Sequence, residues 1–502
     1  MRTLDIAVIA IFLVAMPVLG LLLSGKQRSS SDYFVGDRDL PWWAVCFSVV
    51  ATETSSLTVI SVPGVAYLGT FGFLQLAIGY LIGRIVVSFV LLPKYFSGEL
   101  VTAYAFLGKR FGRGLQGTAS VTFLVTRLLA DGLRLALTAL PVKVVLSSLG
   151  IDAAYWQILL CISVFTVIYT YLGGIKAVVW VDAIQMLVYV GGAVVVVAIL
   201  AGRLPSDWFG QLVDAGKFDM FDLSLDPLTS PYAAITAIVG GAVLSMASHG
   251  SDQIIVQRLL TCRTLGDSRK ALITSGVIVF FQFALFLLIG AMLWALYNGA
   301  SLADRGLTKS DEIFPTFIVN ELPPGLTGLL IAGILSAAMS TLASSLNSLS
   351  TSTVSDLYQR FTKRRLDDET VLRHGKIWTI VWAVIFVGFA IPFTTTTTPL
   401  VEQGLGITGY TYGALLGAFV LGLAVKRARQ ADAIAAFVVT VVVMGFVILG
   451  VEFTGANGKA LPLAYPWYTV IGVAVTLIVG GLLSLRHRTD APEAVETELP
   501  AK

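Results

Sequence analysis

The sequence predicts an all-α polytopic membrane protein of about thirteen transmembrane helices, and three observations predict it. The composition is too apolar for a soluble core. The apolar residues fall in runs of spanning length. The basic residues alternate from one side to the other as the runs are counted off. Of the 502 residues, 56% are apolar and only 13% charged, against about 25% charged in ordinary soluble domains. Lipid can cover that much apolar surface; a water-exposed fold cannot. The net charge of +3 says nothing about nucleic acid; what matters is where the charges lie. Three cysteines, Cys46, Cys161 and Cys262, have no paired spacing, so neither a disulfide framework nor a zinc site is expected.

A span needs roughly 20 apolar residues. Candidates run near 3–24, 41–66, 71–97, 116–149, 153–171, 176–202, 231–250, 271–298, 323–355, 373–394, 398–425, 430–453 and 465–485. The first run lacks a basic leader and a small-residue cleavage site, and Lys26 and Arg28 follow it, so it reads as a retained helix. With the N-terminus outside, the inside loops collect most of the 34 Lys and Arg residues. Among them are Arg38, Lys109, Arg110, Arg113, Lys176, Arg258, Arg263, Arg364, Arg365, Lys426 and Arg427. The outside receives Arg2, Arg203, Lys217, Arg305, Lys309 and Lys459. The bias places the C-terminus in the cytoplasm. Residues 486–502 read as a polar cytoplasmic tail.

Polar groups within spans mark function, because charge at bilayer depth is costly. The second span carries Thr52 to Ser56 at its middle, followed by Pro63 and Gly64. That stretch suits an unwound segment whose freed carbonyls face an ion. The alternative is a continuous helix with its hydroxyls bonded back to its own carbonyls. In the fourth span, Arg127, Asp131 and Arg134 share one helical face. Arg127 reads either as a packing ion pair or as a binding-site cation; Arg134 reads as packing, and Lys143 snorkels. Asp182 in the sixth span sits about four residues past the helix start and, by position, reads as a helix-end carboxylate in the headgroup zone. The seventh span, Gly240 to Gly250, is rich in glycine and serine and suggests a second interruption. The second and seventh spans lie five helices apart, as an inverted five-plus-five repeat requires. The ninth span carries two hydroxyl stripes, Ser340, Ser344 and Asn347 on one, Thr341, Ser345 and Ser348 on the other. Such stripes serve either close packing or coordination of a hard cation.

At Ser31 to Phe34, Gly173 to Gln185, Asp252 to Arg258 and Gly328 to Ser350, the chain resembles the sodium:solute symporter family, and the resemblance covers nearly its whole length. It implies a LeuT-like core, repeats at about 41–202 and 231–425 within one transporter domain at 1–485, preceded by one extra helix. Core helices 1 and 6, the second and seventh spans, are then the interrupted ones. The family's common sodium site joins core helix 1 to core helix 8. Its positions here are Ala51 and Thr54 with Ala337, Ser340 and Thr341. Some members have a second site; its positions are Asp182, Ser340 and Ser344, but Ala343 stands where those members carry a hydroxyl, which leaves water or Ser345 to substitute. Sialic acid symporters hold their carboxylate with an Arg at the position of Arg127, and Ser55 and Thr58 match further contacts. Glu53 and Ala77 depart from that pattern, with Gln75 half a turn from Ala77. A Glu53–Arg127 pair would neutralise the anchor. The implied activity is sodium-coupled import of a small organic solute, a carboxylate or sugar acid, across a bacterial-type inner membrane. Na+ is the coupling ion, and no cofactor, catalytic residue, nucleic acid or obligate protein partner is implied. The competing readings are a proton-coupled carrier using Glu53 and Asp182, and a sodium symporter for a neutral sugar, polyol or amino acid. A sensor would append a long cytoplasmic domain, and an enzyme would need a nucleophile–base or metal constellation that three histidines do not form.

Overall fold

The computed structural model describes residues 3–487 except 26, 28, 98–99, 149, 359–366, 392–399 and 455–459. The expected tail from residue 488 onward lies outside the described residues, as do the loop cations Lys26, Arg28, Arg364, Arg365 and Lys459. The main helices are α1 (Thr3–Ser24), α2 (Trp42–Glu53), α3 (Ser56–Leu68), α4 (Leu74–Val90), α5 (Arg113–Ser148), α6 (Tyr155–Arg203), α7 (Gly241–Gly250), α8 (Gln253–Leu259), α9 (Leu265–Leu296), α10 (Leu326–Ser352), α11 (Asp368–Ala390), α12 (Leu400–Ala424), α13 (Gln430–Gly450) and α14 (Pro466–Ser484). Among the described residues, nine helices are long and apolar enough to cross a membrane. The pair Trp42–Glu53 and Thr58–Leu68, bent by 63°, makes a tenth if taken as one span. Between α13 and α14 a short antiparallel hairpin, β1 (Glu452–Thr454) with β2 (Ala460–Pro462), was not foreseen from the sequence.

Helix α6 contains both the fifth and sixth predicted spans. It runs on from one to the other, but Gly174 breaks it with φ 55° and ψ −151°. Only glycine adopts that backbone cheaply, and a Cβ there would also meet the Tyr33 carbonyl oxygen at 2.7 Å.

Burial orders the bundle. In α10, 89% of the apolar window is buried inside the protein, against 22% in α1. Helix α10 is therefore the central post, packed by α1, α2, α3, α5, α6 and α11. Its serines and threonines face protein on all sides, so each hydroxyl needs an internal partner. Ser336 and Thr351 take backbone carbonyls one turn back, and Ser350 donates to Gly375 of α11. The N-terminus of α10 has no cap of its own. Asp5 of α1 supplies one, its Oδ1 accepting from the Gly325 and Gly328 amides at 2.7 Å each. On the loop side of α3, Lys217 donates to the carbonyls of Ala66, Tyr67 and Gly69 at 2.8–3.2 Å. Burial pushes its amine down to about 8.

Helix α9 meets α3 backbone to backbone at Gly290. A Cβ at that position would stand 1.9 Å from the Pro63 carbonyl oxygen. Small residues at such crossings let membrane helices approach closely. Gly290→Ala must part the two helices, and the expected loss is about 1–3 kcal/mol. Thermal unfolding in detergent checks this, with Gly388→Ala as the control, since a Cβ at Gly388 meets nothing within 4 Å.

Candidate functional site

The site forms where two helices stop inside the bundle. The last ladder bond of α2 runs from the Thr54 amide to the Val50 carbonyl, and Thr54 and Ser55 are extended before α3 begins at Ser56. Threonine and serine favour such ends because their hydroxyls compete for backbone partners. The closing carbonyls of α2, from Ala51 onward, are left without helical donors. Helix α7 likewise ends at Gly250. Asp252 is extended and caps α8, its carboxylate accepting from the Ile254 amide at 2.9 Å.

Buried charges tie these breaks to the rest of the bundle. Arg127 of α5 donates from Nη2 to Asp252 Oδ2 at 2.5 Å and from Nε at 3.1 Å. Tyr412 of α12 closes the triangle, accepting from Arg127 at 2.6 Å and donating to Asp252 at 2.9 Å. Arg127 also reaches Asp131 at 3.3 Å, and Arg134 reaches the other oxygen of Asp131 at 3.1 Å. Two guanidinium groups thus balance two carboxylates. Glu53 is not part of this cluster, so the Glu53–Arg127 pair considered from the sequence does not form. Glu53 bonds Arg84 of α4 and lies 3.7 Å from His249 Nε2. Arg84, with a fully buried side chain, also donates to Ser275 at 2.8 Å.

A cavity of about 270 Å³ opens against the first break. Glu53, Ser55, Thr58 and Arg127 line it, as four of the five residues proposed for solute do. The fifth, Gln75, is turned away: it is fully buried and donates to the Tyr232 and Gly72 carbonyls at 2.9 and 3.3 Å. Arg134, read from the sequence as packing only, lines the cavity as well, together with Asp131, His249 and Tyr412. Asp131 was visible in its helical spacing with Arg127; nothing in the sequence pointed to Tyr412. Asp311, from the loop before α10, completes the wall, and burial raises its carboxyl above the usual range.

The ion-site candidates divide into two groups. Ala51 and Ala337 are fully buried on α2 and α10, which pack together. Thr341 lines the cavity and donates to the Ala337 carbonyl at 3.0 Å. The Thr54 hydroxyl accepts from Gln282 at 2.6 Å. The Ser340 hydroxyl is buried beside the Asp182 carboxylate. Around Asp182 the neighbours differ from the expected set. Arg258 donates to Asp182 Oδ2 at 3.0 Å and Ser48 donates to it at 2.7 Å. Arg258 also bonds the Ser344 hydroxyl. Ser345 points elsewhere, donating to Asp131 at 2.6 Å. Arg258 had been counted with the inside loop cations; its side chain is wholly buried, because α8 turns it back into the bundle rather than out toward solvent. Asp182 is correspondingly a buried pair partner.

The sodium:solute symporter family matches residues 33–440. The sodium/sialic acid symporter SiaT of Proteus mirabilis is 30% identical over 486 residues, 94% of this chain and 93% of that protein. A solved Na+-coupled sialic acid symporter, substrate-bound and outward-open, superposes with a TM-score of 0.84 at 28% identity, covering 97% of this chain and 98% of that one. Mhp1, a nucleobase-cation-symport-1 family transporter solved in a closed conformation, shares the fold with a TM-score of 0.57 at 13% identity, over 93% and 95% of the two chains.

Proposed function

The chain belongs to the sodium:solute symporter family, and from that premise we propose that it imports a small carboxylate or sugar acid together with Na+ by alternating access. The observation that carries this reading is the cavity at the α2–α3 break, where two cationic side chains, Arg127 and Arg134, meet hydroxyls from Ser55 and Thr58. Arg127 is already held by Asp252, so the solute carboxylate takes the outer face of Arg134, whose side chain is 20% exposed, and the solute hydroxyls take Ser55 and Thr58. The relatives that carry sialic acid support a sugar acid in particular. Glu53 on the cavity wall favours a second reading, a neutral polyol or zwitterion, because a carboxylate beside a carboxylate is repelled.

On this proposal α2 with α3 and α7 with α8 are the interrupted helices of a LeuT-like inverted repeat within a single domain at 1–485. The two halves of α6 count as two of thirteen spans, the N-terminus is outside, and the membrane is a bacterial-type inner membrane. Sodium sits between the freed carbonyls of Ala51 and Thr54, the carbonyl of Ala337, and the hydroxyls of Ser340 and Thr341. It pins the break, the solute docks above it, and rocking of the bundle releases both inside. Each sodium charge crossing contributes about 2.3 kcal/mol per 100 mV. A monoanion moving with one sodium cancels that electrical drive and depends on the sodium gradient.

Uptake into proteoliposomes under an inward sodium gradient, over labelled sugar acids, neutral sugars and amino acids, tests the reading. Sugar-acid uptake that collapses when potassium replaces sodium is the expected result. Uptake driven by a proton gradient alone would overturn it. Thr341→Ala should raise the sodium concentration for half-maximal uptake by about tenfold, the loss of one charge-assisted oxygen contact of about 1.5 kcal/mol. The solute requirement at saturating sodium should rise less; an equal rise in both would remove Thr341 from the ion.

A further inference from the structure

We propose that Asp356, just past the end of α10, holds a sodium ion together with the hydroxyls of Thr102, Ser120 and Ser352, at a site separate from the ion between α2 and α10. Sixteen residues divide Asp356 from Ser340, about 24 Å along a helix.

The charge balance singles out this carboxylate. Glu53 meets Arg84, Asp131 and Asp252 share Arg127, and Asp182 meets Arg258. Asp5 lies on the amides that open α10. Asp356 is as buried as these, yet among the described residues it pairs with no cation and caps no helix. Buried charges are paired or coordinate metals, and this one lacks the first.

The oxygens around it supply the second. A π-helical turn, Thr353–Tyr358, continues α10 and carries Asp356. Such wide turns are rare and frequent at functional sites. Thr102 and Gln116 donate to Oδ1 at 2.7 and 2.8 Å. The hydroxyls of Ser120 on α5 and Ser352 on α10, both buried, lie beside the carboxylate. Neither of them nor Oδ2 makes a hydrogen bond of good geometry. Oxygens gathered without bonding one another suit ligands of a cation. The carboxylate brings two oxygens and the hydroxyls three. The Gln116 amide, rotated by half a turn about its last bond, brings a sixth, the number a hard cation gathers. One carboxylate balances one charge, so a divalent ion would leave an uncompensated charge in a dry interior.

The site also touches the transport machinery. The loop that carries Thr102 is held by α8, where Gln253 accepts from the Ala103 amide at 2.7 Å and donates to the Val101 carbonyl at 3.3 Å. Gln253 follows Asp252, the partner of Arg127 at the cavity wall. An ion at Asp356 fastens α10 and α5 to that loop, and through the loop it steadies the second broken segment.

Equilibrium binding of radioactive sodium to the purified full-length protein in detergent counts ions without a solute. Two sodium ions per chain are expected, and one in Asp356→Asn. In Thr341→Ala, which weakens the other ion, the ion at Asp356 should keep its wild-type affinity. Adding Ser352→Ala to that variant should weaken it about tenfold, the loss of one oxygen contact to a charge. A folded Asp356→Asn protein with the wild-type count would overturn the proposal, and so would an affinity that Ser352→Ala leaves unchanged; a carboxyl neutralised by a proton gives both results. If Asp356→Asn does not fold, the Ser352→Ala affinity still decides. A wild-type count of one tells the two ions apart. If Asp356→Asn abolishes it, this site stands and the sodium between α2 and α10 falls. If Thr341→Ala weakens it and Asp356→Asn does not, the symport reading stands and this site falls. No bound sodium overturns both.

Discussion

Asp252→Ala is expected to abolish uptake and to lower the unfolding free energy by about 3–5 kcal/mol, the usual loss when one partner of a buried ion pair is removed. Asp252 has two tasks. It caps α8 through the Ile254 amide, and it neutralises Arg127 together with the Tyr412 hydroxyl. Without it, Arg127 keeps the uncharged Tyr412 hydroxyl and, for opposite charge, only Asp131 at 3.3 Å, an oxygen pair already shared with Arg134 and Ser345. Asp252→Asn separates the tasks. It keeps a good cap and the shape, and loses the charge, so its stability should fall between alanine and wild type. Thermal unfolding in detergent beside uptake measures both. A wild-type melting curve for Asp252→Ala would mean that Arg127 finds another partner, and the neutral cluster described here would have to be redrawn.

Glu53→Ala should cost a similar amount, again about 3–5 kcal/mol, because it strands Arg84, whose side chain has no exposure and keeps only Ser275. The gentler Glu53→Gln has a different use. It keeps the side chain's size on the cavity wall and removes the charge that opposes an anionic solute. Competition by a sugar acid should strengthen relative to competition by the matching neutral sugar. If the order reverses, Glu53 receives a hydroxyl or ammonium of the solute, and the polyol or zwitterion reading gains.

Apolar helices and the break after α2 could be read from the chain because each depends on local composition. Apolar runs of the right length made the helices, and the hydroxyls from Thr52 to Ser56 marked the place where α2 stops. The partners of buried charges could not be read. Glu53 meets Arg84, 31 residues on, and Asp182 meets Arg258, 76 residues on. Which of several buried cations a carboxylate finds depends on how far each helix is rotated and where it crosses, and sequence spacing carries neither. Arg258 shows the same gap. A basic residue just past a span reads as a loop cation by position alone, whereas the short helix that follows Asp252 turns it inward. Gln75 failed for a simpler reason: half a turn separates a residue facing the cavity from one facing the Tyr232 carbonyl.

The cap that α1 places on α10 has a consequence for how the protein is made. The amides that Asp5 holds lie 320 and 323 residues further along the chain. At synthesis rates of about 5–20 residues per second, those amides leave the ribosome roughly 16–64 seconds after the carboxylate. During that interval the first helix carries an acid into the bilayer with no partner, and the growing bundle lacks the peg that will later fix its central post. A nascent chain halted before residue 325 should therefore hold its first helix by its packing on α6 alone, and complete its seat only once α10 has been delivered.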